Sequence, residues 1–298
     1  MFKGEAANRE PPAGGVWDEP IESAPFVFLD LEMTGLRRDR DRVIEVCAVR
    51  ARGGRVEASL ESLVKPDCGT FGSAEVHGID PRELETAPGF GAIADYLEEL
   101  LESSVIVAHA AFWDVAFIEA EFARIGRPRT FPYFLDTLTL SRRAFSLPNH
   151  SLSALCSELG IERKRAHRAT DDVDALRQLW PKLLAVLVPS TPRDLWHIRI
   201  GQRRARPSVV AAAVVAAESG APVRVRYRPA RRGPEDLDMR ITAVRTDLDP
   251  PRVLGYLLAS RGRRDLRADR ILVIEPMAAP DPGPSPSPPV GGPRKKMR

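Results

Sequence analysis

Residues 26–32, FVFLDLE, decide the fold. Four apolar residues, aromatic and β-branched among them, run without a polar break, the pattern of a buried strand. The strand ends in two acids, Asp30 and Glu32. Side chains alternate across a strand, so both carboxylates leave the same face. Paired carboxylates repel one another unless cations neutralise them, and hard oxygen ligands suit Mg²⁺ or Mn²⁺. The C-terminal end of a central strand is also where α/β proteins place their ligands.

Outward from this strand the pattern is α/β. Residues 42–51 (RVIEVCAVRA) and 56–66 (VEASLESLVKP) read as two further strands, with Gly53-Gly54 between them as a hairpin signal, giving an antiparallel three-stranded start. FGAIADYLEELLESS (90–104) carries a helical apolar stripe, SVIVAH (104–109) is another buried strand, and VAFIEAEFARIG (115–126) is a helix stopped by Gly126. FLDTLTLSRRAF (134–145) begins as a strand and turns helical. SLSALCSELGI is a helix opened by Ser151 and closed by Gly160. The long helix over 171–187 contains Pro181, which predicts a kink. From Ser208 the pattern changes to one short helix and several short strands, which predicts a small barrel or sandwich. The expected organisation is a flexible leader (1–24), an α/β domain with a mixed sheet and flanking helices (25–190), a linker (191–206), a small β-rich domain (207–276) and a disordered basic tail (277–298).

The chain has 298 residues, 43% of them hydrophobic and 29% charged, which is ample for a globular core. Its net charge of +3 hides an asymmetry: residues 1–192 hold 22 basic and 30 acidic side chains, whereas 193–276 hold 18 and 10. An acidic part can hold cations and a basic part can attract phosphates. Cys47, Cys68 and Cys156 show no CxxC pairing and read as reduced thiols. No apolar run approaches the roughly 20 residues that span a bilayer, and residues 1–15 lack a secretory apolar stretch. The expectation is a cytoplasmic protein with no membrane contact.

Three more acid or imidazole positions join the first two. Asp114 opens the helix after the strand SVIVAH, and His109 stands at the same junction. His167 lies in the loop before the last long helix, and Asp172 falls in that helix's first turn beside Asp171. Carboxylates that clamp two divalent cations, with an imidazole to deprotonate water, would serve phosphodiester hydrolysis.

As an ordered set, FVFLDLEMTGL, VKP (64–66), VHGI (76–79), VAHAAFWD (107–114), LDTL (135–138) and HRATDD (167–172) resemble the DEDDh branch of the DnaQ-like 3′–5′ exonucleases. The resemblance covers roughly residues 25–188 and implies a ribonuclease H-like fold. It implies that Asp30, Glu32, Asp114 and Asp172 hold two Mg²⁺ or Mn²⁺ ions, with His167 as general base. It selects Asp172 over Asp171 and places Met33, Thr34 and His77 near the terminal nucleotide, while His109 at its junction is read either as a substrate contact at a phosphate or as a cap on the strand. The chain departs at Ala110, where the family commonly has Asn, and at Trp113, where it commonly has Phe. DLEMTGL is also similar to oligoribonuclease.

Residues 207–276 resemble a WYL domain, a small SH3- or Sm-like barrel, with Tyr227, Arg240, Tyr256, Leu257, Arg267 and Arg270 at motif-like positions and Gly255 in place of the name-giving Trp. The resemblance implies nucleic-acid or nucleotide-like ligands, with Arg240, Arg267 and Arg270 as contacts. Together these likenesses predict an enzyme that trims single-stranded 3′ ends of DNA and serves a polymerase or repair complex. The alternatives are a 3′–5′ exoribonuclease and a non-catalytic nucleic-acid-binding regulator.

Overall fold

The computed structural model describes residues 10–164, 167–200, 205–229 and 233–277. Strands β1 (Pro25–Met33), β2 (Val43–Arg52) and β3 (Arg55–Leu63) form the expected antiparallel start. Gly53 and Gly54 both take positive φ (55° and 78°), the two-residue turn geometry that glycine alone adopts without strain. Two short helices follow, α1 (Ala74–His77) and α2 (Pro81–Thr86), and then α3 (Ala94–Glu102). Strand β4 (Val105–Ala108) joins β1 in parallel, α4 (Phe112–Arg124) returns across the sheet, and β5 (Phe134–Asp136) extends it beyond β4. The order is β3-β2-β1-β4-β5, which puts β1 at the centre.

Helices α5 (Thr137–Ala144), α6 (Leu152–Leu159) and α7 (Ala169–Leu187) come next. The alternation of β1 divides the core in two. Phe26 and Phe28 face the α7 side, where Trp180 meets both rings edge-on at 4.9 and 5.8 Å. Val27, Leu29 and Leu31 face α4, against Val115, Phe117, Ile118 and Phe122. Asp30 and Glu32 continue the Phe26–Phe28 face, so α7 lies beneath them. Pro181 sits inside α7 as expected.

Two boundary expectations give way. Residues 191–206, read as a linker, contain helix α8 (Pro192–Ile200), whose Leu195 and Trp196 are fully buried against the first core. Trp196 stacks edge-on with Trp17 at 5.7 Å, so the described part of the leader is also packed, with Trp17, Ile21 and Ala24 in the same core. The apolar residues scattered among prolines in 10–24 are what bury it. Residues 1–9 and 278–298 lie outside the described residues.

Helix α9 (Pro207–Ser219) opens the second unit. Strands β6 (Pro222–Tyr227), β7 (Glu235–Arg245), β8 (Arg252–Leu257), β9 (Arg263–Arg267) and β10 (Ile271–Pro276) form a second sheet of order β10-β6-β7-β8-β9. Every pairing in it is antiparallel, and α9 supplies Val209, Ala213 and Ala216 to its core. The register of β7 on β8 shifts between Ile241 and Ala243. There a side chain at Gly255 would run into the Arg240 carbonyl and the Met239 side chain, so no Trp fits where a WYL motif carries one. The two units are joined by Arg206, whose guanidinium donates to the carbonyls of Val188 (3.0 Å) and Leu272 and pairs with Asp194 at 3.5 Å. Among the described residues no helix is long and apolar enough to cross a membrane, and the three cysteines are unpaired.

Candidate active site

The packing of α7 against β1 brings distant acids together. Oxygen atoms of Asp30, Glu32 and Asp172 lie within 4.8 Å of one another. Asp172 rather than Asp171 joins them; Asp171 instead lines a surface cavity with Glu162, Lys164, Asp174, Arg177 and Gln178. Asp114, in the first turn of α4, is 5% exposed and stands close enough to raise the Asp30 carboxyl. Burial first, then the charges of Asp114, Asp172 and Glu32, push Asp30 well above the usual carboxylate range, against Arg163. Glu32 is pushed up to about 7 by burial, Asp172 and Glu45, against Arg163 and Arg168. Burial likewise raises Asp114, although backbone hydrogen bonds at Asp114 and Leu31 oppose it. A cage of acids that resists its own ionisation is a fit receptor for divalent cations, which remove the repulsion.

His167 is exposed, in the left-handed region (φ 61°) just before α7. Its backbone is fixed by its neighbours. Glu45, directly opposite Glu32 on β2, accepts from the Ala169 amide (3.0 Å) and from Arg168 (2.8 Å). Glu45 therefore ties the His167 loop and the start of α7 to the central sheet. Its signal in the sequence was an acid inside the apolar run RVIEVCAV.

His109 shares a hydrogen bond of 3.0 Å with the Thr137 hydroxyl, and burial lowers its pKa to about 4 despite Asp136. It is neutral at neutral pH and can orient a polar group but not supply charge. Asp136 caps α5 and accepts from the Ala110 amide at 2.9 Å. Ala110 takes φ 59°, a left-handed conformation that costs an L-residue about 1–2 kcal/mol and that Asn or Gly adopts more easily. Ala110 thus holds backbone strain there as well as offering no polar side chain. Ala110→Gly is expected to stabilise the protein by about 1 kcal/mol in denaturant unfolding; an unchanged or lower midpoint would show that no strain is held there.

His77 is buried, its Nδ1 accepting from the Ile79 amide at 3.1 Å and its Nε2 without a hydrogen-bond partner among the described residues; burial lowers its pKa. Thr34 accepts from the Arg42 amide through its hydroxyl (3.0 Å), and Met33 packs on the α4-side core. Phe112 and Trp113 stand exposed beside Asp114, edge to face at 5.8 Å.

Arg163 carries no motif signal, yet its guanidinium forks onto both Asp172 oxygens (Nη2 to Oδ2, 2.6 Å) and reaches Ser153 at 2.5 Å. Both partners are under a tenth exposed. The arginine neutralises the cage where a cation would, so the two compete for Asp172. Arg163→Gln is expected to tighten Mn²⁺ binding by roughly tenfold, about 1.4 kcal/mol, in calorimetric titration. Unchanged or weaker binding would rule the competition out.

In the second unit, Arg267 is paired with Asp269 (2.8 Å) and the Arg240 guanidinium donates to the Gly220 carbonyl, so both are engaged internally. Arg270 has no ion-pair partner among the described residues.

Residues 27–179 match the exonuclease family RNase T. This chain belongs to that exonuclease family. The exonuclease resembles the PolC-type DNA polymerase III of Bacillus cereus, at 33% identity over 191 residues, covering 61% of this chain but 13% of the polymerase. It resembles that of Thermotoga maritima at 32% over 172 residues, covering 57% and 12%. Among solved structures, E. coli exonuclease I in complex with a dA16 oligonucleotide superposes with a TM-score of 0.50 at 18% identity, covering 79% of this chain and 55% of that one. The likeness in fold extends past the family match into the second sheet.

Proposed function

We propose that the exonuclease is a metal-dependent 3′–5′ enzyme that releases nucleoside 5′-monophosphates from the 3′ ends of DNA. The observation that carries this reading is the convergence of the Asp30, Glu32 and Asp172 oxygens within 4.8 Å, with Asp114 beside them. Four acids gathered there, with Asp30, Glu32 and Asp114 raised by burial and by the charges of their neighbours, suit Mg²⁺ or Mn²⁺. Bound there, two such ions would supply a more acidic water and neutralise charge on the phosphate.

The chain's own groups do the rest. Asp30, Glu32, Asp114 and Asp172 hold the cations. His167, exposed in the loop just before α7, takes the proton of the attacking water. Glu45 and Arg168 hold the histidine's loop in place. His77 and His109, both kept neutral by burial, orient the terminal nucleotide with Met33 and Thr34 without adding charge. Trp113 offers a ring face on which a base stacks. Such stacking is worth about 1–3 kcal/mol per base, so Trp113→Ala is expected to raise KM for a DNA strand by roughly 5- to 100-fold while kcat changes little. An unaltered KM would remove the stacking role.

The PolC-type relatives are DNA polymerases, which favours DNA over RNA and a place beside a replicating or repairing polymerase. The second unit is read as an SH3- or Sm-like barrel: its meander runs β6-β7-β8-β9, and a tight turn at Ala268–Arg270 carries the chain to β10 beside β6. A digestion panel tests the whole reading, using end-labelled single- and double-stranded DNA and RNA with Mg²⁺ or Mn²⁺. Single-stranded DNA is expected to shorten fastest from its 3′ end. Faster loss of RNA would reassign the substrate, and no shortening of any strand would refute the activity.

A further inference from the structure

We propose that Arg143, Arg228 and Arg270 form a phosphate-binding site at the junction of the two units, which holds the backbone of the strand whose 3′ end lies in the carboxylate site. The inference rests on the nuclease reading above and extends it to the path of the substrate.

The second unit is rich in arginine, and five of its guanidinium groups are already matched by aspartates. Arg224 pairs with Asp238 (2.7 Å), Arg226 with Asp236 (2.8 Å), Arg245 with Asp247 (2.7 Å), Arg252 with Asp265 (2.9 Å) and Arg267 with Asp269 (2.8 Å). Their fields close locally, and they offer little to a distant phosphate. Arg228 is different. It stands just past β6, its amide bonded to the Arg270 carbonyl at 2.9 Å, and its Nε is buried without a hydrogen-bond partner among the described residues. Neither it, Arg270 nor Arg143 has a carboxylate within ion-pair distance among the described residues.

The first unit contributes the third cation. Arg143 sits in the last turn of α5, and the segment after that helix abuts the second unit: a Cβ on Gly233 would lie 3.7 Å from that of Ser146. Burial, then repulsion by Arg143 and Arg270, holds the Arg228 guanidinium down at about 10, only partly offset by Asp269 and Tyr227. Asp269 is committed to Arg267. Three like charges gathered where one is partly desolvated are costly unless an anion joins them. The guanidinium fork matches the geometry of phosphate oxygens.

Helix α5 connects this cluster to the candidate active site. Its first residue, Thr137, bonds His109, and its last turn carries Arg142 and Arg143. Eight residues rise about 12 Å, within reach of a strand a few nucleotides long. The charge of Arg142, beside Arg143, is felt at His109 and His150.

The test is strand binding by the full chain carrying Asp30→Asn, which prevents turnover, to labelled dodecathymidylate over a range of salt. Arg143→Gln, Arg228→Gln and Arg270→Gln are each expected to weaken binding severalfold. Each should flatten the log–log salt dependence by up to about 0.7 for every phosphate left without its arginine, with Arg228→Lys keeping most of the affinity. Because Arg143 ends a surface helix, its variant reads the site even where Arg228→Gln perturbs folding. Salt slopes equal to the parent's in all three variants would overturn the proposal. So would arginine-dependent protection from melting by free ATP with strand binding unaltered, since that would assign the site to a free nucleotide. Digestion by the unmodified chain is scored separately: no digestion with the arginine-dependent slopes intact refutes the nuclease reading and leaves the strand site standing.

Discussion

Asp30→Asn is expected to abolish hydrolysis and, in the absence of metal, to make the protein more stable. Asp30 has the acids Asp114, Asp172 and Glu32 as its charged neighbours and only Arg163 in opposition. Removing one negative charge from that cage relieves repulsion, worth on the order of 1 kcal/mol, or about 2–4 °C in melting temperature for a domain of this size. The same change removes a cation ligand. Several kcal/mol of transition-state stabilisation vanish with it, and at a factor of ten per about 1.4 kcal/mol the rate falls roughly 1,000-fold or more. The two effects have opposite signs, which separates a functional cage from a structural one. The pH dependence follows from the same shifts. Asp30 and Glu32 bind protons more tightly in the folded than in the unfolded chain. The metal-free protein is therefore most stable below their unfolded pKa values near 4, and it loses that part of its stability as pH rises through about 7, the folded value of Glu32. Saturating Mg²⁺ should abolish the loss. A variant that melts lower than its parent without metal, or a metal-free protein that gains stability between pH 5 and 7, would contradict this account.

Glu121→Ala is expected to cost about 3–5 kcal/mol of stability. Glu121 is fully buried on α4. It accepts from the Arg42 guanidinium at 2.8 and 2.5 Å, from the Val43 amide at 3.2 Å and from Arg124 at 3.1 Å. Its loss strands Arg42, itself 8% exposed, with Asp67 as the remaining acid. At about 2–4 °C per kcal/mol the midpoint should fall by roughly 10 °C. Activity should fall as well, because Arg42 fixes the loop after β1 through two bonds to Thr34: its amide donates to the Thr34 hydroxyl, and its carbonyl accepts from the Thr34 amide. The paired change Arg42→Met with Glu121→Leu removes both charges at once and should recover part of the stability. Equal loss in the single and double variants, by thermal melting, would show that packing and not the stranded charge sets the effect.

Much of this architecture was legible in the sequence, for physical reasons that can be named. FVFLDLE announced both the central strand and the shared face of its acids because strand periodicity is strict. The Gly53-Gly54 turn was legible because two successive positive φ angles are cheap only for glycine. The packed leader and α8 were not, because Trp17 and Trp196 are single large residues in segments otherwise rich in proline and charge. Their burial is set by tertiary contact with one another. The roles of Glu45 and Arg163 were not legible for a related reason: a charged residue that positions another is identified by its partner in space, Arg168 for Glu45 and Asp172 for Arg163, and not by a spacing pattern. The basic excess of the second unit pointed broadly at phosphates, but sequence could not show that five of its arginines are already matched by aspartates.

The most direct measurement is a time course on 5′-labelled single-stranded DNA with the parent chain in Mg²⁺, the parent chain in chelator, and Asp30→Asn in Mg²⁺. The account predicts a ladder of strands shortened one nucleotide at a time from the 3′ end in the first sample and intact strands in the other two. Shortening in chelator or by the variant, or intact strands in all three, would contradict it.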